Sequence, residues 1–256
     1  MMALTPRIAA VSYLNTIPFI YGIRHEGSLC ADLLLTSPSE CVQQFIDGDV
    51  DIALVPSSAV PQLKSAEIVT DYCVGAESEV RTEQLVSNTP IEEARRIWVD
   101  PHSCASVQLA GYLAARVWKI APEWLPLTDR SLLDTPQDGD AFLLVGDEAF
   151  DHEDEFIYTC DLAAVWHEAT GLPFAFAVWV ARRGTPYEVT DALQQSLTFG
   201  VERIYEALAE SDYRDRPCAY DYLTQTIDFL FDNEKRKALQ KFWTSGIKVT
   251  PRVEPG

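Results

Sequence analysis

Positive charge is scarce in this 256-residue chain: Lys and Arg total 20 against 39 Asp and Glu, a formal net charge of −19. Such a surface repels phosphate backbones and anionic headgroups at long range, which argues against a role on nucleic acid or on acidic membranes. A small anionic ligand remains open, because amide and hydroxyl donors can hold one locally. Long apolar runs are missing too, and none reaches the roughly 18 residues that a membrane-spanning helix needs. The stretch up to Gly22 has one positive charge, Arg7, and its apolar run is broken by Ser12, Asn15, Thr16 and Pro18. With no small-residue cleavage site after it, this stretch reads as a first strand and not as a signal peptide.

Cysteine pairs are also absent. Cys30, Cys41, Cys73, Cys104, Cys160 and Cys218 lie far apart with no C-x-x-C spacing, each in or beside an apolar segment. They read as buried free thiols of a soluble protein in a reducing cytoplasm. The four histidines (His25, His102, His152, His167) lack metal-ligand spacing. The G-x-S-x-G, H-E-x-x-H, P-loop and G-x-G-x-x-G motifs are all missing. Neither a metal nor a cofactor is called for, and His167, in Ala163–Ala169, reads as a helix-surface residue.

What is present is an alternation of strands and helices. Arg7–Tyr13, Leu33–Thr36 and Asp51–Val55 are short apolar strands. Between the last two, Ser37 can cap a helix, Pro38 takes its first position, Glu40 falls three residues after the cap, and Gly48 ends it. Cys41, Val42, Phe45 and Ile46 are expected to form its apolar face. This β-α-β unit predicts an α/β fold with parallel strands. Arg96–Asp100 and Ala141–Val145 are further strands, and Ser103–Lys119, Pro186–Ala209 and Asn233–Thr244 are helical. Gln137–Asp140 and Asp151–Glu155 are coil, the latter a solvated acidic turn.

In open α/β sheets, ligands bind beyond the carboxyl ends of strands. Neutral polar residues collect there in three groups: Ser12-Tyr-Leu-Asn-Thr16, Pro56 with Ser57 and Ser58, and Ser103-Cys-Ala-Ser106. The hydroxyls of Thr16, Ser57, Ser58 and Ser103 could merely cap helices. Together with free helix-terminal N–H groups they could equally form an anion site without Lys or Arg. Asn15, between a buried strand and an apolar helix start, must find partners. Thr82, in Glu79-Val-Arg-Thr-Glu83, is either an ordinary strand residue or a donor facing a cleft.

Over essentially its whole length the chain resembles the chorismate dehydratase family, which opens the futalosine route to menaquinone. The resemblance rests on Val11-Ser-Tyr-Leu-Asn-Thr16, Gly48-Asp-Val-Asp-Ile-Ala-Leu-Val-Pro56, Ser103-Cys-Ala-Ser-Val107, Val145-Gly-Asp147 and Ala164–Trp179. It implies a two-lobed, type II periplasmic-binding-protein-like fold in a cytoplasmic enzyme. Two segments, Val80–Ser87 and Leu172–Ala181, would cross between the lobes. One lobe would hold residues 1–87 with 178–256, the other residues 88–177, and the active site would lie in the cleft.

The resemblance further implies that chorismate, a small dianion, loses its ring hydroxyl as water together with a ring proton, giving 3-[(1-carboxyvinyl)oxy]benzoate. The substrate's own enolpyruvyl carboxylate would take the proton. Asn15 and Thr82 would be the catalytic donors, Thr82 standing where the family has serine. Ser12, Tyr13, Thr16, Ser57, Ser58, Ser103, Ser106, Gly146 and Asp147 would bind substrate. Cys104 replaces a more usual Arg, so neutral donors must suffice. Tyr13 and Trp179 are the aromatic candidates for stacking on the ring. A non-catalytic binding module of the same fold is the alternative. A naphthoate synthase would need a His-rich motif after the first strand, and a regulator's effector domain a leading helix-turn-helix; the sequence shows neither.

Overall fold

The computed structural model describes residues 5–152 and 155–252. Its strands are β1 (Arg7–Ala10), β2 (Asp32–Leu35), β3 (Ile52–Pro56), β4 (Ala66–Ala76), β5 (Glu83–Ser87), β6 (Arg96–Val99), β7 (Glu123–Pro126), β8 (Asp140–Val145), β9 (Tyr158–Asp161), β10 (Phe174–Arg182) and β11 (Asp228–Leu230). Its helices are α1 (Ile17–His25), α2 (Pro38–Asp47), α3 (Cys104–Leu113), α4 (Glu148–Asp151), α5 (Leu162–Thr170), α6 (Tyr187–Val201), α7 (Ile204–Ala209), α8 (Ala219–Asp221) and α9 (Asn233–Thr244). The chain divides into two compact units, one of Met1–Ala76 with Ala175–Asn233, the other of Glu77–Phe174 with Glu234–Gly256.

The first unit is built on a six-stranded sheet of order β11-β4-β10-β3-β1-β2. β1 runs parallel to both β2 and β3, as the β-α-β reading requires, while β10 is antiparallel to β3 and β11 to β4. The helix between β2 and β3 is held by the expected devices. Ser37 and Glu40 form a capping box, and Gly48 closes the helix at φ +89°, where a side chain would be strained. Its buried face is narrower than expected: Cys41 and Phe45 are buried, but Ile46 is 56% exposed. α1 and α6 pack through glycines, since a Cβ on Gly22 would lie 1.9 Å from the Ser196 carbonyl oxygen and one on Gly200 1.8 Å from that of Pro18. Phe19 meets Tyr72, Trp179 and Phe229 edge-on at 5.2–6.1 Å.

The second unit holds a five-stranded sheet of order β7-β6-β8-β5-β9. β6 is parallel to β7 and β8, and β5 is antiparallel to β8 and β9. Val86, Phe142 and Leu144 pack with Leu127, Leu133 and Ala149. α5 is anchored by Trp166, which packs on Phe174 at 5.2 Å and Phe242 at 6.3 Å and donates its indole N–H to the Pro173 carbonyl at 3.1 Å.

These contacts move the expected lobe boundaries. β5 pairs on both sides within the second sheet, so residues 83–87 belong to the second unit and not to the first lobe. From Glu234 onward the chain also joins the second unit, because Phe242 on α9 packs against Trp166 and Phe174. The apolar run of β10 belongs to the first unit from Ala175 on, three residues earlier than expected.

Two smaller expectations are also corrected. Cys30 and Cys218 are exposed, Cys104 and Cys160 half-buried, and only Cys41 and Cys73 buried; none of the six is in a disulfide. The long helix from Ser103 is α-helical only to Leu113 and ends in a wider π turn, Ala114–Trp118, closed by Lys119 at φ +57°. Of the expected acidic turn, Asp151 ends α4 and His152 pairs with Glu155, whereas Glu153 and Asp154 lie outside the described residues.

Candidate functional site

In the first unit, the segment after β1 folds into a 3-10 turn, Leu14–Thr16. Thr16 makes this turn rigid. Its fully buried hydroxyl accepts from the Tyr13 N–H at 3.1 Å and lies 2.7 Å from the Val11 carbonyl, to which it can donate. Thr16 is therefore a latch, its hydroxyl bonded within its own turn. The latch fixes Asn15, whose side chain is buried with its amide nitrogen 3.5 Å from the Tyr222 hydroxyl. Tyr222 is fully buried and lies 207 residues along the chain from Asn15. Ser57 is buried at the start of a 3-10 turn after β3, Ser58 beside it is half-buried, Tyr13 is half-buried and Ser12 exposed. Trp179 is fully buried against Phe19 in the core, which removes it as a stacking partner and leaves Tyr13.

In the second unit, the residues entering β5 are held by one carboxylate. Asp161 Oδ2 accepts from the N–H groups of Val80 (3.0 Å) and Arg81 (2.7 Å) and from the Gln84 amide (2.8 Å). Its Oδ1 caps α5 through the N–H groups of Ala163 (2.9 Å) and Ala164 (3.1 Å). Arg81 sits at φ +62°, a conformation that costs a non-glycine residue roughly 1–2 kcal/mol and persists because the clamp over-determines it. The clamp places Thr82, 1% exposed, with its hydroxyl 3.4 Å from the Val80 carbonyl.

The Thr82 carbonyl accepts from the Gly146 N–H at 2.8 Å, so that predicted residue does stand beside Thr82. Gly146 sits at φ +73°, and its carbonyl accepts from the Ala149 N–H at 3.2 Å, so it forms the turn into α4. Asp147 begins α4 without a side-chain cap bond.

Across from Glu83, α3 begins at Cys104 with Ser103 as its N-terminal flanking residue. The Ser103 hydroxyl makes no cap bond, and the N–H groups of this first turn have no intrahelical acceptors. Ser106, 3% exposed, bonds instead to Glu83, a residue with no sequence signal beyond sitting next to Thr82. Burial pushes the Glu83 carboxyl up to about 8, Asp161 adds to the shift, and the Ser106 bond opposes it. His167 is half-buried, with a ring nitrogen, Nδ1, that has no partner. Among the described residues, no three His, Cys, Asp or Glu side chains converge as a metal site would require, and no helix is long and apolar enough to cross a membrane.

The sequence profile of a family described as menaquinone biosynthesis matches residues 6–246. The chain belongs to this family. A curated relative, the chorismate dehydratase of Thermus thermophilus, is 25% identical over 95% of this chain and 96% of its own length. Among solved structures, a protein of Archaeoglobus fulgidus superposes with a TM-score of 0.72 at 18% identity, covering 95% of this chain and 97% of its own. A Candida albicans protein, described as having the generic periplasmic binding protein fold, gives 0.62 at 13% identity over 96% and 92%. At such identities the likeness concerns the fold, which is the α/β, two-lobed, type II periplasmic-binding-protein-like fold expected from the sequence.

Proposed function

We propose that this protein is a cytoplasmic chorismate dehydratase, a hydro-lyase of the futalosine route that converts chorismate to 3-[(1-carboxyvinyl)oxy]benzoate. The observation that carries the reading is the near end-to-end likeness to a relative of that name, within a menaquinone biosynthesis family. The chemistry of the candidate residues supports it. Removing a ring proton and the ring hydroxyl creates a benzene ring, so much of the driving force comes from the substrate. The protein's task is to hold two carboxylates and stabilise negative charge that spreads over the ring as the C–H bond breaks. The C–H electron pair becomes part of the ring π system and the C–O bond breaks. The departing hydroxide and the proton, taken up first by the substrate's enolpyruvyl carboxylate, together make water.

Fixed, uncharged donors suit that task because they are already oriented when charge develops. In this reading Asn15 and Thr82 contact the reacting ring. Ser103 and Ser106, with the first-turn N–H groups of α3, hold one carboxylate. Ser57 and Ser58, with Ser12 at the edge, serve the other, while the half-buried Tyr13 packs on the ring.

Incubating the protein with chorismate and following the products by chromatography is the test. Formation of the aromatic ether in wild type, with at least about a hundredfold loss of turnover in Asn15→Ala, is expected if one preorganised donor contributes roughly 3 kcal/mol. Chorismate that binds but stays unconverted would leave only a binding protein of this fold. Near-normal turnover in the variant would remove Asn15 from the mechanism.

A further inference from the structure

Glu83 opens β5 with 7% of its surface exposed, and the reaction above makes no use of it. Its Oε2 is buried without a hydrogen-bond partner, while the side chain bonds Ser106 in the first turn of α3. An ionised carboxylate here would leave part of its charge bare in a medium that solvates charge poorly, at a heavy desolvation cost. A neutral acid leaves only a carbonyl oxygen unsatisfied. The neighbours favour the neutral form. Asp161, at the β9–α5 junction, is the charged group that acts on Glu83; Val145 faces it from β8, and α3 contributes the Ser106 hydroxyl. The two carboxyl groups are held differently: Asp161 accepts from five N–H groups, whereas Glu83 Oε2 has no hydrogen-bond partner.

We infer that Glu83 is a positioning residue: as a neutral acid it donates its O–H to Ser106 Oγ and so leaves the Ser106 hydroxyl hydrogen for an anionic ligand. The inference rests on the dehydratase reading insofar as Ser106 is one of the donors assigned there to a chorismate carboxylate. A serine hydroxyl has one hydrogen. When Glu83 donates, Ser106 accepts from it and can donate onward. When Glu83 ionises, Ser106 must donate to Glu83, and what it then turns toward a ligand carboxylate is a lone pair. Ionisation would therefore replace an attractive contact with a repulsive one, while Asn15 and Thr82 are untouched.

The experiment is the pH dependence of KM for chorismate in wild type, Glu83→Gln and Glu83→Val. Alongside it, the Glu83 carboxyl is titrated by carbon NMR, its signal assigned by its loss in the Gln variant. In wild type, KM is expected to rise roughly fivefold to tenfold between about pH 7 and about pH 9, the ceiling set by a group about nine-tenths ionised at the upper limit when one hydrogen bond to a charged group is lost, with a smaller change in kcat. In Glu83→Gln, whose amide donates at every pH, the rise should vanish. In Glu83→Val, which neither donates to Ser106 nor takes its hydrogen, KM should be nearly independent of pH, with no alkaline rise. The same alkaline rise in the Gln variant, or a Glu83 signal that titrates below about pH 6 in a protein that turns chorismate over, would overturn this inference alone. No turnover by wild type at any pH would defeat the dehydratase reading, and this inference with it.

Discussion

Replacing Asp161 by Asn changes one atom in the most heavily used carboxylate of the second unit. The aspartate accepts from five N–H groups: three on Oδ2, from Val80, Arg81 and the Gln84 side chain, and two on Oδ1, from the start of α5. Asparagine has only one acceptor oxygen. As Asn is as good a helix cap as Asp, that oxygen can stay on α5. The amide NH2 then faces the Val80 and Arg81 N–H groups, donor against donor. A hydrogen bond to a charged acceptor contributes roughly 1.5–3 kcal/mol, so losing the two main-chain ones should cost about 3–6 kcal/mol.

That is a large part of the roughly 5–15 kcal/mol by which domains are stable. Relaxation of Arg81 from its positive φ would return about 1 kcal/mol of it. Urea unfolding followed by circular dichroism reads the loss directly. Turnover should fall as well, because Thr82 follows the released turn. A destabilisation below about 1 kcal/mol, with turnover intact, would refute the view that this carboxylate holds the turn.

Two further predictions concern stability. Gly22→Ala should destabilise by at least roughly 3 kcal/mol, read as a lower thermal midpoint, since its Cβ would lie 1.9 Å from a main-chain oxygen of α6, and neither helix backbone can yield without repacking. Glu83 should make stability depend on pH. Its folded pKa of about 8 exceeds the ordinary 4.5, so stability is greatest below about 4.5 and is lost as pH rises toward about 8. Relative to Glu83→Gln the wild type should lose up to about 5 kcal/mol over that window, as measured by urea midpoints at a series of pH values. A pH-independent difference would show that Glu83 ionises as readily in the folded chain as in the unfolded one.

Much of the architecture was legible because its causes are local. The box of Ser37 and Glu40 and the left-handed Gly48 both depend on groups within a few residues of one another. The apolar β1, β2 and β3 paired in parallel because a capped helix connects the latter two. The candidate donors were legible as types at strand ends, but not in their states. Thr16 and Ser103 both looked like caps or ligand donors. The fold spends the Thr16 hydroxyl on its own turn, whereas the Ser103 hydroxyl makes no cap bond.

Tertiary structure alone decided the rest. Asn15 meets Tyr222 across 207 residues, and Val80 and Arg81 meet Asp161 across about 80, distances over which no periodicity carries information. Which sheet would take residues 83–87 depended on the partners β8 and β9, for an apolar strand reads the same in either. Glu83 in the sequence is one of 39 acidic residues and resembles a solvated charge. Only folding, by removing its water and supplying Ser106 and Asp161 as neighbours, makes it an acid that keeps its proton.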